Sequence, residues 1–481
     1  MFRHFFLALF WAAFGVISTT LVFAVLHLEN RPSLKVWHTA ELDAEFSIAQ
    51  PVMDFAQYLQ LEERLFKQAV TEVYAQIDAV DRLPFNRFHA GSLADPNNGP
   101  ENLNRSFQLI PDSAPRAGVL LLHGMSDSPY SLRGIGEALH REGALVLGLR
   151  LPGHGTAPSG LLDVSWNDLA AAATLAARHL EDQLDGKPLY VVGYSTGGAL
   201  AIHHALLALE DSSLPHFRKI VLISPSIGVT SMAALAVWQA RIGRLLGLEK
   251  LEWNSISMEY DPYKYNSFSI NASDQVYRLT LAIQNQLKHS LSTGALRHFP
   301  PVLGFQSMAD ATVSTNAVAT QLFQRLPNPG NEFVLFDVNR TAGVLKAMRS
   351  DPAAQLTGLR SSRLGFAATL VTNRSAQEPE VLTRHWAAGS DVSNDQTLGL
   401  VWPRGIYSLS HTALPFALDD PLYGLSQSDE FDYQLGRMEL RGERGLLRIP
   451  AADMLRLRSN PFFSYLEQRT IDFFFAEIPG Q

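Results

Sequence analysis

The chain has no cysteine among its 481 residues. Disulfides, thiolate zinc sites and a cysteine nucleophile are therefore excluded, which fits an oxidising compartment without requiring one. It has no long basic run, and its formal net charge is −8. A nucleic-acid partner is expected to be absent on that balance. There is no H-E-x-x-H, and no G-x-G-x-x-G placed after a strand, so neither a zincin helix nor a dinucleotide fingerprint is readable. Internal repeats and low-complexity tracts are also missing.

Hydrophobic residues make up 46% of the chain, enough for a large core. Length alone suggests about two or three domains, or one decorated domain. Phe5 to Leu28 is apolar almost throughout, interrupted by Ser18, Thr19, Thr20 and His27. As a helix it would span roughly 36 Å, enough for a bilayer core with some tilt. We read residues 1–30 as an uncleaved single-pass anchor. The rival is a cleaved signal peptide, for which Val22-Phe-Ala24 is a poor cleavage site. Arg3 before the run and Arg31 and Lys35 after it barely decide orientation. An N-inside arrangement, with the remaining chain outside the cytoplasm, is the expectation.

After the run, Glu41 to Asp81 has helical periodicity, with Phe55, Leu59, Leu61, Leu65, Phe66, Ala69, Val73 and Ile77 on one stripe. Residues 84–105 are rich in Pro, Asn and Gly and read as loop. Residues 31–105 thus form a helical segment and linker. Strand-like runs then follow at Ser106–Ile110, Gly118–Leu122, Ala144–Leu149, Leu189–Val192, Ile220–Ile223, Val302–Phe305 and Glu332–Val338. Helical patterns at Leu132–Glu142, Trp166–Leu184, Ala199–Glu210 and Asn316–Arg325 alternate with most of them. The alternation implies an α/β fold, a mostly parallel sheet covered on both faces, with chemistry at the C-terminal strand ends. Two stretches break the rhythm: 230–299, with helical segments, and 341–407, with strand candidates such as Phe366–Thr372.

The most informative stretch is Leu189-Tyr-Val-Val-Gly-Tyr-Ser-Thr-Gly-Gly198. It reads as a buried strand, then G-x-S-x-G, then a helix. Such a turn lifts the Ser195 hydroxyl off the sheet, and the following helix N-terminus offers free N–H groups to an anion. Three further pieces accompany it: His123-Gly124-Met125-Ser126 after a strand, Arg150-Leu-Pro-Gly-His-Gly155 after another, and Pro301-Val-Leu-Gly-Phe-Gln-Ser-Met-Ala-Asp310-Ala-Thr-Val313.

With these pieces the chain resembles the α/β-hydrolase superfamily, in its serine esterase, lipase, monoglyceride-lipase or serine-aminopeptidase branches. The resemblance covers roughly residues 106–340 and 400–481. It implies an α/β-hydrolase domain over 106–481, with a helical cap at 230–299 and a second insertion at 341–407. It implies Ser195 as nucleophile and the backbone N–H groups of Met125 and Thr196 as oxyanion donors. Chain order in the superfamily is Ser, then acid, then His; the strand-loop-Asp stretch ending at Asp310 resembles the acid-bearing loop, whereas Asp337 sits inside a strand pattern and Asp274 in the cap, so Asp310 is the acid. The base is then His411, in Tyr407-Ser-Leu-Ser-His-Thr-Ala-Leu-Pro-Phe416, with His385 as competitor. His123 and His154 are expected to be structural. The sequence departs from the pattern in one respect: the base should come shortly after Val338, yet residues 339–410 intervene. Trp238, Leu245, Leu246 and Leu248 of the cap would line an acyl slot or pack cap on core. The implied activity is hydrolysis of carboxylic esters, hydrophobic or lipid-like, at a membrane and with no cofactor or metal. An amide or thioester hydrolase with the same triad, and a silent scaffold, stay as alternatives.

Overall fold

The computed structural model describes residues 29–50, 54–228, 248–342, 364–426, 433–437 and 457–475, with 3–7, 10–12, 14, 15, 18, 19, 351, 352 and 354. Ten strands form one sheet. They are β1 (Phe107–Leu109), β2 (Ala117–Leu122), β3 (Ala144–Leu149), β4 (Leu189–Tyr194), β5 (Phe217–Ile223), β6 (Val302–Ser307), β7 (Glu332–Phe336), β8 (Ala367–Ser375), β9 (Glu378–Trp386) and β10 (Ser393–Val401). Their spatial order is β1-β3-β2-β4-β5-β6-β7-β8-β9-β10. From β3 across to β8 every pairing is parallel, while β1, β9 and β10 run antiparallel to their neighbours.

The strands β2, β3 and β4 are buried at every position and carry no charged residue because helices cover both faces. Alternate residues divide between two cores. Leu120, Leu122, Leu189, Val191, Ile220 and Leu222 face one core, packed by α1 (Phe55–Glu72), α3 (Trp166–Glu181), α4 (Thr196–Ala208) and α5 (Ile270–Thr293). Val119, Leu121, Tyr190, Val192, Val221 and Ile223 face the other, packed by α2 (Arg133–Arg141) and the final α7 (Phe463–Phe475). Side chains at the starts fix several helix boundaries. Asp54 caps α1 by accepting from Gln57 N, Ser165 and Asp168 form a reciprocal capping box on α3, and Ser269 caps α5. Ser314 likewise caps α6 (Thr315–Gln321).

The stretch 341–407 does not stand off as a separate insertion. Its described part supplies β8, which joins β7 in parallel, and then the β9–β10 meander that widens the sheet. The stretch 230–299 also differs from a free-standing cap. Residues 229–247, including Trp238, Leu245 and Leu246, lie outside the described ones; Leu248 is exposed. α5 lies in the core beside α4, through Ala272, Val276, Leu279, Ile283 and Leu287. Along α1 the buried stripe takes Tyr58 and leaves Leu59 exposed, one position away from the sequence reading. The expected anchor over Phe5–Leu28 falls in large part outside the described residues, at 8, 9, 13, 16, 17 and 20–28. Among the described residues no helix is long and apolar enough to cross a membrane.

The segment before β1 is tied to the sheet by Arg150, just past β3. This guanidinium is buried and takes Glu45 in a two-pronged contact, 3.1 and 3.0 Å, and Glu62 through Nε at 3.1 Å. Glu62 also accepts from Ser106 N and Oγ, and Tyr58 donates to the Arg150 carbonyl. Removing one partner of such a pair strands a buried charge. Arg150→Ala, which leaves the buried Glu62 without its cation, should therefore lower the stability measured by urea denaturation by about 3–5 kcal/mol. A loss below about 1 kcal/mol, the ordinary worth of a surface pair, would show that Arg150 does not hold the segment down.

Candidate active site

Ser195 sits where β4 gives way to α4, at φ 53° and ψ −115°. This region is costly for a residue with a side chain and persists only where its surroundings enforce it. Here they do. Ser195 N donates to Ile223 O at the end of β5, and Ser195 O accepts from Ser226 N, both at 2.9 Å. Two residues on, a Cβ on Gly197 would collide with the carbonyl oxygen of Leu122 at the end of β2. Only glycine lets the two strand ends approach this closely. Beyond Leu122, a Cβ on Gly124 would lie 3.0 Å from that of Ser195. The His123–Ser126 loop therefore runs directly beside the serine.

The structure brings together the three residues expected to act in concert. His411 opens a single helical turn, His411–Ala413, held by Ser410 Oγ donating to Leu457 O at 2.7 Å. Its Nε2 lies 3.1 Å from Ser195 Oγ and its Nδ1 2.9 Å from Asp310 Oδ2. An ionised carboxylate only accepts, so Nδ1 bears the proton and Nε2 is the acceptor facing the serine hydroxyl. Asp310 lies in the loop after β6, and its Oδ1 accepts from the amides of Thr312 and Val313 at 2.8 and 2.9 Å. Burial pushes its carboxyl up, but the His411 hydrogen bond and charge, with the Val313 and Thr312 amides, outweigh this and hold it below its ordinary value.

Met125 and Thr196 flank Ser195 on the wall of a cavity of about 490 Å³. Thr196 is the first residue of α4, where backbone N–H groups have no intrahelical acceptor. Phe268, Val276 and Val313 give this cavity an apolar side. The competitors are engaged elsewhere. His385 Nδ1 meets Thr369 Oγ1 at 2.8 Å on β8, with Glu332 beyond. Asp337 is clamped by Arg340 and Thr372, and Asp274 pairs with Arg278. His123 accepts Leu151 N on Nε2 and so donates from Nδ1 to Gly124 O, while His154 is buried against Pro152 O. Burial drives His154 down to about 4 and His123 well below its ordinary value, so both are neutral supports of their loops.

Sequence reasoning missed three contributors. Ser226 Oγ lies 3.2 Å from Ser195 Oγ. Asp127 and Lys264, paired at 2.7 Å, also line the cavity. Asp127 could have been noticed from its place beside His123–Ser126; Lys264, far along the chain, carries no local signal. Among the described residues no group of three or more His, Asp or Glu is placed to hold a metal ion.

Residues 119–392 match the model of the alpha/beta hydrolase family. Over 117 residues the chain is 30% identical to a thermostable monoacylglycerol lipase of Bacillus sp. (strain H-257), covering 24% of this chain and 44% of that protein. The chain thus spans less than half the length of that curated relative. Among solved structures it is similar to one of the metagenome-derived lipolytic enzymes LipS and LipT, at 20% identity over 54% of this chain and 98% of that one, with a TM-score of 0.39. It is also similar to a monoacylglycerol lipase of Paleococcus ferrophilus, at 20% identity over 48% and 87% of the two chains, with a TM-score of 0.37.

A carboxyl held below its ordinary 3.8 stabilises the fold in full above that pH, and this contribution is lost as pH falls through its lower folded value. Asp310→Asn should therefore be less stable than wild type above about pH 4, with the gap closing on acidification. Thermal melting of both proteins from roughly pH 3 to 7 checks this, and a gap independent of pH would contradict it.

Proposed function

The chain belongs to the alpha/beta hydrolase family, and from that premise we propose that it is a serine hydrolase of carboxylic esters, acting on hydrophobic or lipid-like substrates from a membrane anchor. The observation that carries this reading is the unbroken run from Asp310 through His411 to Ser195, at 2.9 and 3.1 Å, opening on a cavity with an apolar side. The run also argues against a silent scaffold, since it links acid, base and nucleophile in the order that catalysis uses.

In this mechanism Ser195 Oγ attacks the acyl carbonyl as His411 Nε2 takes its proton. Asp310 holds the ring in the tautomer that allows this and stabilises the imidazolium. The amides of Met125 and Thr196 receive the developing oxyanion, each worth about 3 kcal/mol of barrier. His411 then protonates the leaving alcohol, and water releases the acyl group by the same route. Amide and thioester bonds would use the same machinery. Esters are favoured by the 30% identity to a monoacylglycerol lipase, and a lipid-like acyl group by Phe268, Val276 and Val313.

The anchor rests on the apolar run Phe5–Leu28. It is supported by the exposure of Phe5, Phe6, Leu7, Phe10, Trp11 and Phe14, which water alone would not favour as a group. An N-inside orientation would put the catalytic domain outside the cytoplasm. The full chain should stay with membranes after an alkaline wash, and a chain lacking residues 1–30 should be released; release of both would remove the anchor.

Hydrolysis of p-nitrophenyl esters over a range of chain lengths tests the chemistry. Ser195→Ala and His411→Ala should each lose at least about a thousandfold in kcat, while His385→Ala keeps wild-type turnover. Full activity in Ser195→Ala would refute the reading. Loss in His385→Ala with retention in His411→Ala would move the base to β9.

A further inference from the structure

Among the described residues Ser195 Oγ has two hydrogen-bond partners, His411 Nε2 at 3.1 Å and Ser226 Oγ at 3.2 Å. The mechanism above uses the first and gives no task to the second. A serine hydroxyl carries one proton. That of Ser195 points to His411 Nε2, because Asp310 keeps the ring's own proton on Nδ1. Between the two serines, therefore, Ser226 donates and Ser195 accepts.

The donor is fixed from several sides. Ser226 lies just past β5, is buried and lines the cavity. Two residues before it, Ser224 adopts φ 44° and donates its N–H to Phe305 O of β6 at 2.8 Å. Pro225 packs closely on the start of α4, where a Cβ on Gly198 would lie 2.9 Å from the proline Cβ. Ser226 N donates to Ser195 O at 2.9 Å, and Ser226 O accepts from Thr280 Oγ1 of α5 at 3.2 Å. A donor held in this way needs no reorganisation when charge develops on the atom it faces.

A hydrogen bond accelerates a step only by the amount it strengthens between ground state and transition state. The bond from Ser226 meets two different ground states. In the free enzyme it ends on a hydroxyl oxygen, already a good acceptor. In the acyl-enzyme it ends on an ester oxygen whose lone pair is drawn into the carbonyl. During deacylation water attacks the acyl carbon and its proton passes to His411 Nε2. The tetrahedral intermediate then collapses, and the electron pair of its bond to Ser195 Oγ returns to that oxygen. His411 gives the proton back to Oγ, while Ser226 keeps its own proton and its bond to Oγ strengthens. The gain is larger here than in acylation, which starts from the better acceptor. We infer, building on the ester-hydrolase reading above, that Ser226 is a catalytic residue of deacylation, whose hydroxyl stabilises Ser195 Oγ as the leaving group.

The test uses the full chain and p-nitrophenyl butyrate, whose good leaving group makes acylation fast. In Ser226→Ala kcat should fall by about ten- to a hundredfold, the worth of a hydrogen bond to a charged oxygen. KM should fall with it and kcat/KM should stay near the wild-type value, because only the step after acylation is slowed. A burst of one p-nitrophenolate per active site and the mass of a butyryl-enzyme should appear. The rate of labelling by a fluorophosphonate, which reads the attack by Ser195 alone, should stay near wild type. Ser226→Thr keeps the hydroxyl and should keep most of the wild-type kcat. Should Ser226→Ala fail to fold, Ser226→Cys, with its weak S–H donor, should show the same loss of kcat and the same burst. A fall in kcat/KM and in the labelling rate by one factor, with no burst, would make Ser226 a support of the nucleophile and overturn the assignment. Wild-type turnover in Ser226→Ala or Ser226→Cys also overturns it and leaves the ester-hydrolase reading intact. Failure of the wild type to cleave any ester, with Ser195 also inert to the fluorophosphonate, overturns both.

Discussion

The approach of the β2 end to the serine turn is the contact on which the site depends. The carbonyl of Leu122 occupies the space that a side chain at position 197 would need. That proximity requires β2 and β4 to be parallel neighbours ending at the same edge, which the sheet order provides. It also places the loop after β2 beside Ser195 without further machinery. The unfavourable backbone of Ser195 is held by β5 as well, through Ile223 O and Ser226 N. Three adjacent strand ends therefore fix one residue. They can do so only because helices bury both faces of the sheet and keep the strands from shifting.

The parts of this arrangement that show in the sequence are those written in consecutive residues. A buried strand, two glycines around a serine and a following helix are all local, and so is the strand-to-loop pattern that ends in Asp310. His411 was reachable only through chain order, because its neighbours say little. The intervening stretch looked like an insertion because a sheet's edge has no local mark. β8 pairs with β7 by lying next to it, and nothing in residues 367–375 states that partner. Contacts between distant residues were illegible for the same reason. Arg150 and Glu45 are 105 positions apart, and Lys264 and Asp127 are 137 apart. A helical period reveals that α1 has a buried face, but not the buried guanidinium that its Glu62 meets.

The buried histidines show how position settles chemistry among identical side chains. Burial pushes His38 down to about 3 and His154 and His204 to about 4, and each is held by backbone groups or a hydroxyl. A neutral ring with such partners has no carboxylate hydrogen-bonded to it to stabilise a proton taken up in a reaction. Among the described histidines, His411 alone has a carboxylate at one ring nitrogen and a serine hydroxyl at the other. The carboxylate is itself anchored by two amides, so it orients the ring rather than following it.

Asp127 poses an electrostatic problem that Lys264 resolves. Its Oδ2 lies 2.8 Å from where a Cβ on Gly124 would be, which places a carboxylate beside the loop expected to receive the oxyanion. Two like unit charges about 4 Å apart repel by roughly 4 kcal/mol at an effective dielectric constant near 20. That is comparable to the roughly 3 kcal/mol one oxyanion donor supplies, so a bare Asp127 would cancel such a donor. The ammonium of Lys264 at 2.7 Å removes most of that field.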